Sequence, residues 1–272
     1  MAKAWFLTLL IGISGCGGGS SSTPLPPAPP VLAGNFQMTT QSQAVPGNQT
    51  IVGGPLTTDS SGHVTGTLHI FDAQTSCFNI FDDALFAGTV NAQGQLAASA
   101  NVAGQAISVK GQVSTDGKTI TSGTYAVVGG CAGGDHGTLS GSQVQPYTGT
   151  YAGSFTLPDP GGLLFLNISL PLTQPTAADQ HGLFEFPASA ATFIFPQTTC
   201  GFTSATLQTG STVSIASGLF FQVTMAANDG LSTVVFTGIA SDDTTKKIVG
   251  TISVTGTGFC GGKSTPGFIA RP

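Results

Sequence analysis

The segment best equipped for side-chain chemistry is 133–137, where Asp135 and His136 stand side by side between glycines. A carboxylate next to an imidazole can ligate a metal ion or assist a proton transfer. A similar glycine-rich segment near the end of the chain, 261–265, contains neither residue type. We therefore treat Asp135 and His136 as a candidate site that would be specific to the first half of the chain.

Other known catalytic patterns are missing from the sequence. There is no Gly-x-Ser-x-Gly nucleophile motif, no phosphate-binding loop and no dinucleotide-binding fingerprint. Glycosidases need two placed carboxyl groups, but Glu185 is the only glutamate. The aspartate pairs at 82–83 and 242–243 would point to opposite faces of a strand and fit no calcium-loop template. We predict no catalytic, cofactor or metal site, and a protein that is not an enzyme. Three further histidines are expected on loops or strand faces: His63, His69 and His181.

The chain has five cysteines, of which Cys16 stands apart near the N-terminus. The other four thiols can pair in three ways. No histidines accompany them at matching positions, and the paired Cys-x-x-Cys spacing of zinc sites is missing. We therefore expect structural disulfides among Cys77, Cys131, Cys200 and Cys260.

An internal repeat selects one of these pairings. Both halves of the chain beyond residue 33 open with glycine, one polar residue and an aromatic residue, at 34–36 and 149–151. Each half then has a glutamine, two hydroxyl residues and a cysteine, and each closes on a cysteine in a glycine-rich segment. Both copies obtain the same bond only from the pairs Cys77–Cys131 and Cys200–Cys260.

Short runs of β-branched and aromatic residues recur between turn residues, and no apolar stripe with a helical period covers a full helix length. We predict an all-β chain with two tandem antiparallel β-barrel or β-sandwich domains, 34–146 and 147–272, each with one disulfide. One sandwich merged from both copies is the alternative. The glycine-x-aromatic start followed by sequential hairpins is similar to the up-and-down barrels of lipocalins and streptavidin. The predicted strands are 64–71, 95–102, 106–113, 118–127, 163–170, 219–226, 231–240 and 246–254.

Several phenylalanines in the second half fall on neighbouring segments. We expect them to fill the core of the domain; the alternative is that they line an apolar lumen for a small hydrophobic ligand. The residues concerned are Phe184, Phe186, Phe193, Phe195, Phe220 and Phe221.

The N-terminus has the layout of an export signal. Lys3 precedes an apolar run, 4–13, which as a helix would rise only about 15 Å, half of a ~30 Å hydrocarbon core. We expect residues 1–15 to be removed as a signal peptide.

The tetrapeptide Ile13-Ser14-Gly15-Cys16 resembles the lipobox of bacterial lipoprotein precursors. That resemblance implies that Cys16 becomes the lipidated first residue of the mature protein, with fatty acyl chains such as palmitate. Residues 16–33, rich in Gly, Ser and Pro, would form a tether.

Charge and composition complete the expectation. Charged residues make up 7% of the chain and the net charge is −5, which disfavours nucleic acid as a partner. We expect an exported, lipid-anchored protein of the bacterial cell envelope, delivered to the outer membrane. It would act as a binding or structural β scaffold, with the membrane, envelope proteins or glycans as partners. The alternatives are a carrier of a small hydrophobic ligand in a barrel cavity and, more remotely, a hydrolase that uses Asp135 and His136.

Overall fold

The structure is a computed structural model that describes residues 27–72, 77–79, 82–159, 162–186, 192–194, 203–207, 214–256 and 260–272. Every regular element in these ranges is a β-strand, so the predicted all-β fold class is confirmed. The leader, the lipobox and most of the predicted tether lie outside the described residues, as do Cys200 and Phe195. Within the described ranges, no helix is long and apolar enough to cross a membrane.

The first half of the chain forms a closed antiparallel barrel in which each strand pairs with the next and the last pairs with the first. Closure runs through the pairing of β1 with β8, from Phe36↔Gln143 to Ser42↔Gly137. Short turns make this order possible; in the turn between β5 and β6, Ala103 and Gly104 have φ angles of 50° and 74°, as a tight hairpin requires. The strands are β1 (Ala33–Ser42), β2 (Gln49–Thr58), β3 (His63–Asp72), β4 (Ala84–Val90), β5 (Gln95–Val102), β6 (Gln105–Val113), β7 (Thr119–Val128) and β8 (His136–Gln143).

The last residues of the predicted tether contact the first barrel. Leu32 is fully buried and exchanges two hydrogen bonds with Thr58, one through each backbone group of Leu32. Pro29 lies near Gly62. Val31 lies so close to Gly117 that a Cβ on Gly117 would clash with the carbonyl oxygen of Val31. We call residues 29–32 the strap, because they lie across the end of the barrel at which β1 begins.

The second half forms a ten-stranded antiparallel sheet. Eight of the strands pair in the closed order β15-β13-β12-β10-β9-β18-β17-β16, because β16 also pairs with β15. The two remaining strands lie beside this ring: β14 pairs with β15, and β11 pairs with β14. The strands are β9 (Thr148–Asp159), β10 (Gly162–Thr173), β11 (Phe184–Glu185), β12 (Thr192–Ile194), β13 (Ser204–Leu207), β14 (Ser214–Ser217), β15 (Phe220–Ala227), β16 (Thr233–Ala240), β17 (Lys247–Thr255) and β18 (Ser264–Ala270).

Aromatic side chains pack in the core of the second half. The rings of Tyr147 and Phe221 lie 5.6 Å apart, and those of Phe186 and Phe221 lie 5.8 Å apart in an edge-on arrangement. Phe184, Phe186 and Phe221 all belong to the buried core cluster of this sheet. These three phenylalanines therefore belong to the packed core of the second half, which is the role that the sequence favoured.

The two halves share their strand order. Around the first barrel β1 is followed by β8, β7, β6 and β5, and in the second sheet β9 is followed by β18, β17, β16 and β15. Gly34 and Gly149, the glycines that open the two copies, have φ angles of 115° and 114°. The same unusual backbone conformation at the same place in β1 and β9 supports a structural duplication.

Cys77 and Cys131 form a disulfide, with their Cα atoms 5.6 Å apart. Cys260 is fully buried and disulfide-bonded, and its predicted partner Cys200 lies outside the described residues. The Cys77–Cys131 pairing is thus seen, whereas Cys200–Cys260 stays a prediction.

Polar side chains connect the two halves. On β1, Asn35 and Gln37 point away from the barrel interior but are buried, because the second half covers them. Asn35 both accepts a hydrogen bond from the Gly218 amide (2.7 Å) and donates one to the Gly218 carbonyl oxygen (3.0 Å). The Gln37 side-chain oxygen accepts from the amide of Leu219. The β14–β15 turn is therefore held on the outer wall of the first barrel.

A second contact between the halves involves two histidines. His69, 1% exposed, donates a ring N–H to the carbonyl oxygen of His181 over 2.7 Å. The ring of His181 lies 2.8 Å from a carboxylate oxygen of Asp83, in an ion pair between the halves. The hydrogen bond and charge of Asp83 raise the pKa of His181.

Candidate binding site at the mouth of the first barrel

The first barrel has an open end opposite the strap, which we call the mouth. It is formed by the connections β1–β2, β3–β4, β5–β6 and β7–β8. Below it lies an interior cavity of about 50 Å³. The wall of this cavity is mostly apolar and includes Met38, Leu68, Ile70, Phe86, Ala100 and Val109.

Polar groups gather where this cavity approaches the mouth. The Ser42 hydroxyl donates a hydrogen bond to Oδ1 of Asp135 (2.5 Å), and the Tyr125 hydroxyl donates one to Oδ2 (3.0 Å). Ser42 and Tyr125 are 5% and 7% exposed, so both hydroxyls are held in a largely desolvated position. Burial, followed by the hydrogen bond and charge of Asp135, raises the pKa of Tyr125. The phenol therefore remains a hydrogen-bond donor over the physiological pH range.

The strand pattern explains why these three residues meet. Inward positions of β1 follow every second residue and end at Ser42, directly opposite Gly137 of β8. Asp135 comes immediately before β8, and Tyr125 is an inward residue of β7. A Cβ at position 137 would lie 2.0 Å from the Gln41 carbonyl oxygen and 3.1 Å from the Tyr125 ring. Glycine at 137 thus permits the close approach of Tyr125 to the β1–β8 seam.

Two fastenings hold the connections at the mouth together, and we call Cys77, Phe78, Cys131 and Ala132 the lid. The Cys77–Cys131 disulfide joins the β3–β4 connection to the β7–β8 connection. Gln105, 2% exposed, donates to the Cys77 carbonyl oxygen (3.2 Å) and accepts from the Ala132 amide (2.8 Å). Phe78, next to the disulfide, packs against the core cluster and lines the interior cavity. The disulfide and Gln105 therefore fix an aromatic ring at the mouth.

Outside this ring lies a crevice of about 270 Å³ between the β1–β2, β3–β4 and β7–β8 connections. Phe78 and Asp135 line both the crevice and the interior cavity, so the two spaces adjoin at these side chains. Asn48 also lines the crevice; it is 4% exposed, and its Oδ1 has no hydrogen-bond partner among the described residues. The crevice thus contains a buried acceptor that is not satisfied by the fold itself.

His136, the other candidate residue, does not join this cluster. Its side chain is exposed, and Nδ1 lies 3.0 Å from the carbonyl oxygen of Gly134. Asp135 and His136 therefore do not combine into one proton-transfer unit. The described residues contain no group of three or more His, Cys, Asp or Glu side chains that could hold a metal ion.

The sequence indicated Asp135, but it indicated neither the hydrogen-bond partners of Asp135 nor Asn48, which lines the same crevice. Ser42, Asn48 and Tyr125 are ordinary residues for a strand end or turn, and no local motif marks them. Gln105 begins β6 directly after a tight turn, and nothing in its neighbourhood indicates a role in the lid. The alternation of β1 could have placed Ser42 inward, but not opposite Asp135.

The comparisons with known proteins add no relative to this picture. No protein-family model matches the chain, and neither a curated protein nor a solved structure matches it significantly.

Proposed function

We propose that the chain is an exported binding protein, anchored by lipid at Cys16 to the bacterial envelope, and that the mouth of its first barrel takes up a small ligand with an apolar end. The supporting observation is the apolar interior cavity that adjoins a polar crevice at Phe78 and Asp135. Such a combination, an apolar wall with a few convergent polar groups, is typical of small-molecule sites. The anchoring is tested by mass analysis of the mature protein, which should carry acyl chains on Cys16.

The size of the cavity limits the ligand. About 50 Å³ can hold a few water molecules or the end of an unbranched alkyl chain, but not a bulky ring system. The larger crevice would hold the remainder of the ligand. A carrier function of this kind belongs to the first barrel, since Phe184, Phe186 and Phe221 are already packed in the core of the second half.

Titration with 1-alkanols of increasing length tests the proposal. We expect the methyl NMR signals of Leu68, Ile70 and Val109 to shift, with affinity rising with chain length until the cavity is filled. Ala100, a buried cavity residue, offers a way to block it: Ala100→Leu should abolish binding, and the smaller change Ala100→Val should weaken it.

Ala97 provides the control on the same strand. Its side chain is exposed, so Ala97→Leu adds the same groups outside the barrel and should leave alkanol binding unchanged. Methyl signals that do not respond to any alkanol, or binding that survives in Ala100→Leu, would refute the proposal.

A further inference from the structure

The polar groups of the crevice are mainly acceptors. Each Asp135 oxygen receives one hydrogen bond, from Ser42 or Tyr125, and a carboxylate oxygen can accept two. No Lys or Arg forms an ion pair with Asp135 among the described residues. Asn48 adds a buried Oδ1 without a partner in the same part of the structure. The crevice therefore offers both a negative charge and a neutral acceptor to an incoming group.

Several backbone donors at the same place are already used by the fold. The amide of Ala132 donates to Gln105, the amides of Gly133 and Asp135 donate within the β7–β8 connection, and the amide of Gly134 donates to a carbonyl oxygen of β7. Among the described residues that line the crevice there is no Lys, Arg or His. An anionic group placed there would meet a carboxylate and no cationic side chain among the described residues of the lining, which is an unfavourable arrangement.

The charge of the whole first domain acts in the same direction. Residues 34–146 contain six aspartates and two lysines, a balance of −4. A negative domain with a carboxylate at an apolar opening attracts cations and repels anions.

We propose that the ligand of the mouth is an amphipathic amine, whose ammonium group binds between Asp135 and Asn48 while its alkyl chain passes Phe78 into the interior cavity. This inference rests on the proposed function of the barrel as a binding site. It adds the chemical class of the ligand: a primary or secondary amine on a slender apolar chain. A fatty acid of the same length is rejected because its carboxylate would face Asp135.

Three probes of equal chain length test the head group: hexylamine, 1-hexanol and hexanoate. Isothermal titration at pH 7 should give the tightest binding for hexylamine, by roughly tenfold over 1-hexanol, because a hydrogen bond to a charged group is stronger than one between neutral groups. Hexanoate should bind most weakly. In Asp135→Asn the preference for the amine should be lost while 1-hexanol still binds, and Asn48→Leu should weaken the amine more than the alcohol.

Asp243 supplies a control with the same change in charge. It lies exposed in the β16–β17 turn of the second half, so Asp243→Asn should leave the order of the three probes unchanged. If 1-hexanol binds in the barrel but hexylamine binds no better, or if Asp135→Asn keeps the amine preference, the head-group inference is wrong and the binding site itself stands. If none of the three probes binds, both proposals fail together.

Discussion

Tyr125 lies where the wall of the first barrel changes from apolar to polar side chains. Its neighbours below are cavity residues, and its hydroxyl contacts Asp135 above. Tyr147 and Tyr151, the other two tyrosines, are fully buried in the second half, and Tyr151 donates to the carbonyl oxygen of Thr245. Burial is the largest cause that raises the pKa of each of the three phenols.

We expect the three buried tyrosines to cause a steep loss of stability in alkali. Because their folded pKa values lie above the ordinary 10.0, the folded state holds protons that the unfolded chain has already released. This contribution is complete below about pH 10 and is lost as the pH rises through the folded values. We expect little phenolate absorbance at pH 10 in the folded protein, and its sudden appearance on unfolding.

Tyr125→Phe isolates one phenol in this titration. The difference between wild-type and variant absorbance should show Tyr125 ionising above pH 10, and unfolding curves at pH 7 should show a loss of about 1 kcal/mol for the missing hydrogen bond. A difference curve centred at or below pH 10 would contradict the buried contact with Asp135.

At the scale of elements, the lid combines a covalent and a non-covalent fastening. The repeated cysteine pattern was enough to predict the Cys77–Cys131 bond. Gln105 could not be predicted, because a glutamine after a hairpin turn is usually a solvated residue. Its two hydrogen bonds depend on loops that are distant in sequence, and their meeting is set by closure of the barrel.

Removing the disulfide should cost more stability than removing Gln105. The bond joins residues 54 apart, and a loop of that length contributes about 4 kcal/mol in the chain-entropy account. We expect Cys77→Ala/Cys131→Ala to lower the free energy of unfolding by up to that amount in urea titrations. Gln105→Ala should cost about 1–3 kcal/mol, since it leaves two half-buried backbone groups unpaired. An unchanged midpoint for the double cysteine variant would show that the lid does not constrain the barrel.

At the scale of the whole molecule, the repeat and strand spacing were sufficient to predict an all-β chain, and the predicted strand 95–102 coincides with β5. The contact between the halves could not be predicted. Asn35, Gln37 and His69 occupy outward positions in strands, where polar residues normally meet water. Only the folded chain reveals that another part of the molecule covers them.

Gly53 and Gly218 allow the two halves to approach each other closely. A Cβ at Gly218 would lie 2.5 Å from Gln37 Oε1 and 2.7 Å from the Cα of Gly53. Gly230 is the matched control, since its φ of 70° resembles the 59° of Gly218 but its Cβ would meet nothing within 4 Å. Gly230→Ala should cost about 1–2 kcal/mol for the left-handed backbone alone.

Gly218→Ala should cost that amount plus about 1–3 kcal/mol for the crowded contact. We further expect calorimetry to resolve two unfolding transitions in this variant, because the halves no longer support each other. If both variants lose the same free energy of unfolding, the contact between the halves accommodates the added methyl group of Gly218→Ala at no cost, and the prediction is wrong.

The strap and the mouth lie at opposite ends of the first barrel, and this gives the molecule a direction. The chain enters the first barrel through Pro29 and Leu32 at one end, while Phe78 and Asp135 lie at the mouth at the other end. A protein fastened through its N-terminus would therefore hold its opening toward the surrounding fluid. With the lipid anchor and the binding function that we propose, ligand exchange would take place at the end of the barrel that faces away from the membrane.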